Sequence, residues 1–337
     1  MVPSAVPGKK VRYSFCCAPV NLNFPLWYTA LAMSRSRSRR FSPLRRLLSF
    51  PLLRTGRTRE EAFPSAGELL FELAGHNPEN LLFGRFGPEE IRERIRAAGI
   101  LDGLARWGYR NPLLALQCGD PQDQRICLYA GSRSRDRLLL EVRVQIAAFR
   151  PGKPIGPFSE ESVFRMLLLH WLLLSDPERP FSIDRPRLPG QERPGLGLLS
   201  ECLSLFRGIG REFPLDGVLD VPDHFHTALF YSRKFRFLDP RAEGRFQAMA
   251  RALKGIPLAL ASEAVQEGCL IDRATDLPIL WEPAEQVMPL RDPLRRYLRS
   301  PEYRLACSEA GSGLEADVDW DRYREKIAAK GGPGKYP

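Results

Sequence analysis

The clearest alternation of apolar and polar positions lies at residues 138–148, where Leu140, Val142, Val144 and Ile146 interleave with Glu141, Arg143 and Gln145. A period of two sends one set of side chains to a buried sheet face and the other to water, so this stretch predicts a strand. Shorter apolar runs at 113–118 and 125–130 predict two more. The turn residues Gly131-Ser132-Arg133-Ser134 separate the second run from 138–148, so those two read as an antiparallel hairpin.

Helical periods surround these strands. Pro64-Ser65 opens a helix over 66–75, with Leu69, Leu70 and Leu73 on one side. Gly87-Pro88 opens a second. Its proline suits the first turn, Glu89 and Glu90 favour the positive helix end, and Ile91, Ile95, Ala98, Leu101 and Leu104 form one apolar stripe. Residues 151–158 form a loop, and Ser159 followed by Glu160 and Glu161 predicts the cap of a helix over 159–174. That helix is apolar nearly all round and belongs deep in the core.

The middle of the chain reads as a strand end at 180–184, a Gly/Pro-rich loop at 188–199, a helix from about 196 to 211, a strand at 217–221, a helix at 224–234 and a short strand at 235–238. Helices at 243–254 and 258–267 follow, then a small hairpin of 269–272 with 277–281, an apolar group of Leu294, Tyr297 and Leu298, and a frayed end at 331–334. The expected fold class is α/β (α+β), with a mixed, mostly antiparallel sheet flanked by helices. Three parts are expected: a disordered basic tail at 1–63, an α/β domain at 64–240, and a C-terminal helical extension with a hairpin at 241–337. The extension covers the sheet or makes a homodimer contact.

Charge changes this picture in one place. A formal net charge of +10 invites a polyanionic partner. Yet residues 1–59 hold twelve basic residues, from Lys9 to Arg59, and no Asp or Glu, which leaves the rest of the chain near neutral. Clustered positive potential, and with it nucleic-acid binding, is expected only from the tail. Its Arg- and Ser-rich stretch at 34–59 fits a targeting segment, a polyanion-binding arm, or translated leader ahead of a later start such as Met33. Arg outnumbers Lys by 42 to 8, which suggests a GC-rich coding sequence and a bacterial source. The seven cysteines, Cys16, Cys17, Cys118, Cys127, Cys202, Cys269 and Cys307, are odd in number and scattered, without a C-x-x-C. They read as free thiols in a reducing, cytoplasmic setting rather than as disulfides or a zinc site. The longest apolar run, 166–174, has nine residues, short of the ~20 needed to cross a bilayer.

Chemistry concentrates at 180–240. Gly195-Leu196-Gly197 precedes a helix, where glycines allow close backbone approach and bare amides with the helix dipole attract phosphate. Arg193 stands beside them and can add a charge-assisted contact. His224 and His226, next to Asp223, suggest metal ligation, but a spacing of two on a helix parts the rings and no third ligand is near, so capping and packing fit better. Ser200 and Ser204 sit outside any G-x-S-x-G elbow. Glu141, Asp184 and Asp220 read as solvated carboxylates, which leaves no general base assigned.

The run of loop, helix, strand, helix and strand resembles the GNAT acyltransferase family. That family carries Q/R-x-x-G-x-G/A between its fourth strand and third helix, and the matching stretch here is Glu192-Arg193-Pro194-Gly195-Leu196-Gly197. The family's later helix reads N-x-x-A-x-x-x-Y, with His224 at the Asn position and Tyr231 at the Tyr position. The resemblance implies an acyl-CoA-dependent N-acyltransferase using acetyl-CoA or another acyl-CoA and an amine acceptor. It implies that Arg193, Gly195, Leu196, Gly197 and His224 contact the cofactor and that Tyr231 protonates the leaving thiolate. On the residues alone, Tyr231 also fits as a core aromatic beside Phe230 and Phe235. Three positions depart from the pattern: Glu192 replaces Gln or Arg, Thr227 replaces the small Ala, and the Gly before the last strand is missing. Glu192 and the missing Gly fit an alternative, a non-enzymatic interaction module on a degenerate acyltransferase-like scaffold.

Overall fold

The computed structural model describes the backbone of residues 15–16 and the whole of residues 81–330. The helix expected at 66–75, most of the basic tail and the frayed end at 331–334 lie outside the described residues.

The expected hairpin is present and grows into an antiparallel meander. Its strands are β2 (Leu113–Gln117), β3 (Gln124–Tyr129), β4 (Leu138–Phe149) and β5 (Phe164–Leu174). After β5 the chain forms helix α3 (Leu199–Glu212) and returns as β6 (Gly217–Asp220), parallel to β5. Helix α4 (Phe225–Tyr231) then leads to β7 (Arg236–Phe237). Two helices precede the meander, α1 (Pro88–Ala97) and α2 (Ile100–Arg106). Pro88 at the start of α1, with Glu89 and Glu90 in its first turn, opens the helix as its sequence implied.

The C-terminal part contributes α5 (Pro240–Ala252), α6 (Leu258–Gln266), β8 (Leu270–Asp272), β9 (Leu277–Pro278) and β10 (Gln286–Pro289). It ends in α7 (Leu294–Tyr297), α8 (Pro301–Ser312), β11 (Ala316–Val318) and α9 (Trp320–Ala329). Strand β10 inserts between β6 and β7, antiparallel to both. The main sheet therefore runs β2-β3-β4-β5-β6-β10-β7, and a strand from beyond residue 240 sits inside it. The hairpin of β8 and β9 joins β11 in a separate three-stranded sheet. Strand β1 (Phe15–Cys16) pairs in parallel with β5 at Leu172 and Leu173.

Residues 164–174 form a strand where a helix was expected over 159–174. The strand lies mid-sheet with apolar layers on both faces: Leu167 and Leu169 join one cluster and Met166 the opposite one. A strand buried on both faces loses its period of two, and its short apolar run looks like a buried helix. The register with β4 also shifts between Arg143 and Val144, which face Trp171 and Leu169, so His170 is the extra residue of a β-bulge. Residues 180–184 likewise form no strand. They run into a turn closed by Ser182 and Arg185 backbone bonds.

Helices α1, α2 and α3 pack on one face of the sheet, through Ile91, Ile95, Ile100, Leu104, Cys202 and Phe206. Helices α7 and α8 cover the other through Leu294, Tyr297 and Tyr303. Val218 and Met288 face the first layer, whereas Leu219 and Val287 face the second, so β6 and β10 are enclosed on both sides. Among the described residues no helix is long and apolar enough to cross a membrane.

Candidate functional site

The Gly195-Leu196-Gly197 turn is built from the inside by residues distant in sequence. Two positions past the end of β5, Asp176 is fully buried. Its carboxylate accepts the Tyr109 hydroxyl at 2.7 Å and Arg179 Nη1 at 3.1 Å, and Arg185 Nη1 lies 3.5 Å away. Burial pushes this carboxyl up, but the donors from Tyr109, Arg179 and the Glu178 amide outweigh it and hold the pKa below the usual range. Arg185 also lies over the Trp107 ring, 4.5 Å from its centroid, and Arg179 Nη2 donates to the Trp107 carbonyl at 3.0 Å.

This cluster grips three successive carbonyls. Pro194 O accepts the Asp176 amide at 2.7 Å, Gly195 O accepts Arg185 Nη2 at 2.5 Å, and Leu196 O accepts Trp107 Nε1 at 2.8 Å. In a trans peptide the C=O and the next N–H point in opposite directions. Holding these carbonyls inward therefore turns the amides of Gly195, Leu196 and Gly197 the other way. Gly197 has φ +70°, a left-handed value that favours glycine. Leu196 and Leu198 anchor the turn in the core, and Leu198 lies so close to Gly103 of α2 that a Cβ there would meet its Cδ2 at 2.2 Å. The next helix, α3, starts at Leu199, slightly later than the sequence suggested, and no side chain caps it. Among the described residues, the amides of Gly195, Leu196, Gly197, Leu199, Ser200 and Glu201 donate to nothing.

The adjoining strands part at this end of the sheet. Strands β5 and β6 pair only through Met166–Leu168 and Gly217–Leu219, whereas β5 continues to Leu174. The edge of β5 that β6 leaves is where β1 pairs, at Leu172 and Leu173.

The other expected site residues are placed less simply. Arg193 turns away from the glycines and donates to the carbonyls of Asp136 and Pro177 at 3.1 and 2.9 Å. His224 caps α4 with an extended backbone, so its ring folds back and stacks on His226 at 5.2 Å, where the spacing had been expected to part the two. A Cβ on Gly190 would come within 2.7 Å of His224 Nε2, and His224 Nδ1 lies 3.3 Å from Gln266 Oε1. His224 therefore contacts the loop and α6. Burial lowers the pKa of both histidines, that of His226 to about 3, so both are neutral at pH 7. Tyr231 is fully buried with its ring 5.0 Å from Phe235. Among the described residues no group of three His, Cys, Asp or Glu is arranged to hold a metal ion.

Asp220 corrects an expectation. It is fully buried rather than solvated, because β10 closes alongside and pairs Gln286 with it. Burial raises its pKa well above the carboxylate range, with the Val221 amide opposing and the Asp223 charge adding. Gln286 Nε2 reaches the Ala228 carbonyl at 3.5 Å, so Asp220 and Gln286 lie beneath α4. Neither carboxyl oxygen of Asp220, nor Gln286 Oε1, has a hydrogen-bond partner of good geometry among the described residues.

Sequence reasoning found the glycine turn but missed Trp107, Tyr109, Asp176 and Arg185. Their one signal was an aspartate two positions past the apolar run, visible only once that run is known to be a strand. No protein-family model and no curated protein matches the chain.

Proposed function

We propose that the chain binds an acyl-CoA at the start of α3 and transfers the acyl group to an amine, as the GNAT resemblance implies. The unpaired amides of Gly195, Leu196 and Gly197 carry this reading, with Gly197 exposed and Gly195 and Leu196 buried, because unpaired amides at a helix start are an anion site suited to a diphosphate. The parting of β5 and β6 beside them leaves a strand edge, the one on which β1 pairs, for the rest of the ligand. In this reading Tyr231 acts as the acid, and His224 shapes the loop rather than touching the cofactor. Strand β1 and the ligand compete for the same edge.

Calorimetry with acetyl-CoA and with CoA tests the proposal. Binding by the full chain, tighter after removal of residues 1–63 and lost in Gly195→Asp that remains folded, supports it. Tyr231→Phe should retain binding and slow turnover. No binding at millimolar ligand by folded protein removes the proposal. Glu192 favours the second reading, an interaction module: its side chain is 79% exposed, with Arg135 at 4.0 Å its one ion-pair partner among the described residues, and its charge repels a diphosphate. That reading predicts no CoA binding and a protein partner recovered by pull-down.

A further inference from the structure

The near-neutral charge of the chain beyond residue 59 conceals a basic cavity in the folded body, which corrects the expectation that positive charge clusters only in the tail. A cavity of about 760 Å³ opens between the α4–β7 turn and helices α5, α7 and α8. The turn supplies Arg233 and Lys234, the α7–α8 segment supplies Arg299, and α8 supplies Arg304. All four are exposed, and none of their side chains has an ion pair or hydrogen bond among the described residues.

Three further arginines line the same space but already have carbonyl partners. Arg251 donates to Gly311 O at 3.2 Å, Arg295 to Leu290 O at 2.7 Å, and Arg236 to Phe235 O at 2.8 Å. One acid lines it, Glu243. It is buried, accepting the Phe237 amide at 2.9 Å and Gln247 Nε2 at 2.8 Å, with Arg236 Nε 3.7 Å away. Its charge therefore answers one arginine and leaves the others in excess.

Close helix packing forces these cations together. A Cβ on Gly244 would fall 2.2 Å from the Cys307 carbonyl, and one on Gly311 would fall 2.8 Å from the Gly244 carbonyl. Helices α5 and α8 touch backbone to backbone, which sets Arg251 and Arg304 around one space. Like charges held this close repel, and an anion relieves the repulsion. Guanidinium groups match phosphate geometry in particular. Among the described residues that line the cavity the one aromatic is Tyr303, which is buried and donates its hydroxyl to Phe237 O at 2.6 Å.

We propose that this cavity binds a small molecule carrying two or more phosphates, recognised through its phosphates and not through a base. The cavity volume suits a small ligand rather than a long polymer. The site is distinct from the α3 turn. It includes Pro289, which pairs with Gly217 at the start of β6, whereas the α3 turn lies where β5 outruns the end of β6.

Inorganic tripolyphosphate and ATP are the probes, titrated calorimetrically into the full chain at low ionic strength. Both should bind this cavity with similar affinity, weakening with added salt. Arg299→Glu and Arg304→Glu should each weaken tripolyphosphate by about tenfold or more, with an unchanged melting temperature because both side chains are exposed. Arg299→Gln should have a smaller effect of the same sign. Trp107→Phe, and the tail pair Arg37→Glu with Arg39→Glu, should leave the affinity unchanged. Absence of binding, or binding insensitive to Arg299 and Arg304, overturns the proposal. So does a short RNA that outcompetes tripolyphosphate and loses affinity on the tail substitutions.

Discussion

Asp176→Asn tests the buried network that orients the glycine turn. The substitution keeps the shape of the side chain and an acceptor for Tyr109, but removes the charge that faces Arg179 and Arg185 at 3.1 and 3.5 Å. Asp176 is fully buried and the Arg185 side chain is 17% exposed, so Arg185 is left as a poorly solvated, unanswered cation. Removing one partner of a buried pair costs about 3 kcal/mol. Arg179 can turn to water, since its side chain is 43% exposed, and adds little to this sum. For a body of this size the loss corresponds to a fall of about 6–12 °C in melting temperature.

Urea unfolding of wild type, Asp176→Asn, Arg185→Met and the double variant measures the coupling, expected at about 2 kcal/mol. The pH dependence gives a second readout. Asp176 has a pKa lower in the native state than in the unfolded chain, so its stabilisation is present above about pH 4 and declines as pH falls through the native value. That acid limb should flatten in Asp176→Asn. A cost under about 0.5 kcal/mol, or additive single variants, would refute the argument that a buried charge pair organises the turn.

Trp107→Phe deletes the donor to Leu196 O while keeping an aromatic ring, and should cost about 1 kcal/mol while weakening acyl-CoA binding in calorimetry. Asp220→Asn should stabilise the fold, and more at pH 8 than at pH 5. Because the native pKa of Asp220 is raised, stability falls as pH rises above about 4, by up to about 1.4 kcal/mol per pH unit while the native carboxyl stays protonated. Equal melting shifts at the two pH values would contradict this. Gly244→Ala should destabilise by about 1–3 kcal/mol in denaturant unfolding, since its new methyl meets the Cys307 carbonyl and α8 must move. A neutral result would mean the helices separate freely.

How much of this was legible in the sequence depended on how local each determinant is. The hairpin of β3 and β4 was, because one face of β4 stays wet and keeps its alternation. Strand β5 was not, because layers on both faces and the bulge at His170 erase the period of two. The glycine turn carried a local signature. The residues that aim its amides did not, since Trp107 and Leu196 lie 89 positions apart and Tyr109 and Asp176 67 apart. Asp220 marked a strand end correctly, but its burial depends on Gln286 from a strand outside the expected domain. The basic cavity escaped because acidic residues elsewhere balance arginines that only tertiary packing gathers.

The insertion of β10 between β6 and β7 bears on how the protein is made. A nascent chain that has emerged only as far as residue 240 contains both flanking strands but not the one that joins them. The sheet stays open until the ribosome has released Gln286–Pro289. Until then two strand edges are bare, a template for unwanted pairing between neighbouring chains on a polysome. Chains cut short before residue 286 should therefore aggregate during synthesis, whereas loss of the segment after Val318 leaves every strand of both sheets in place.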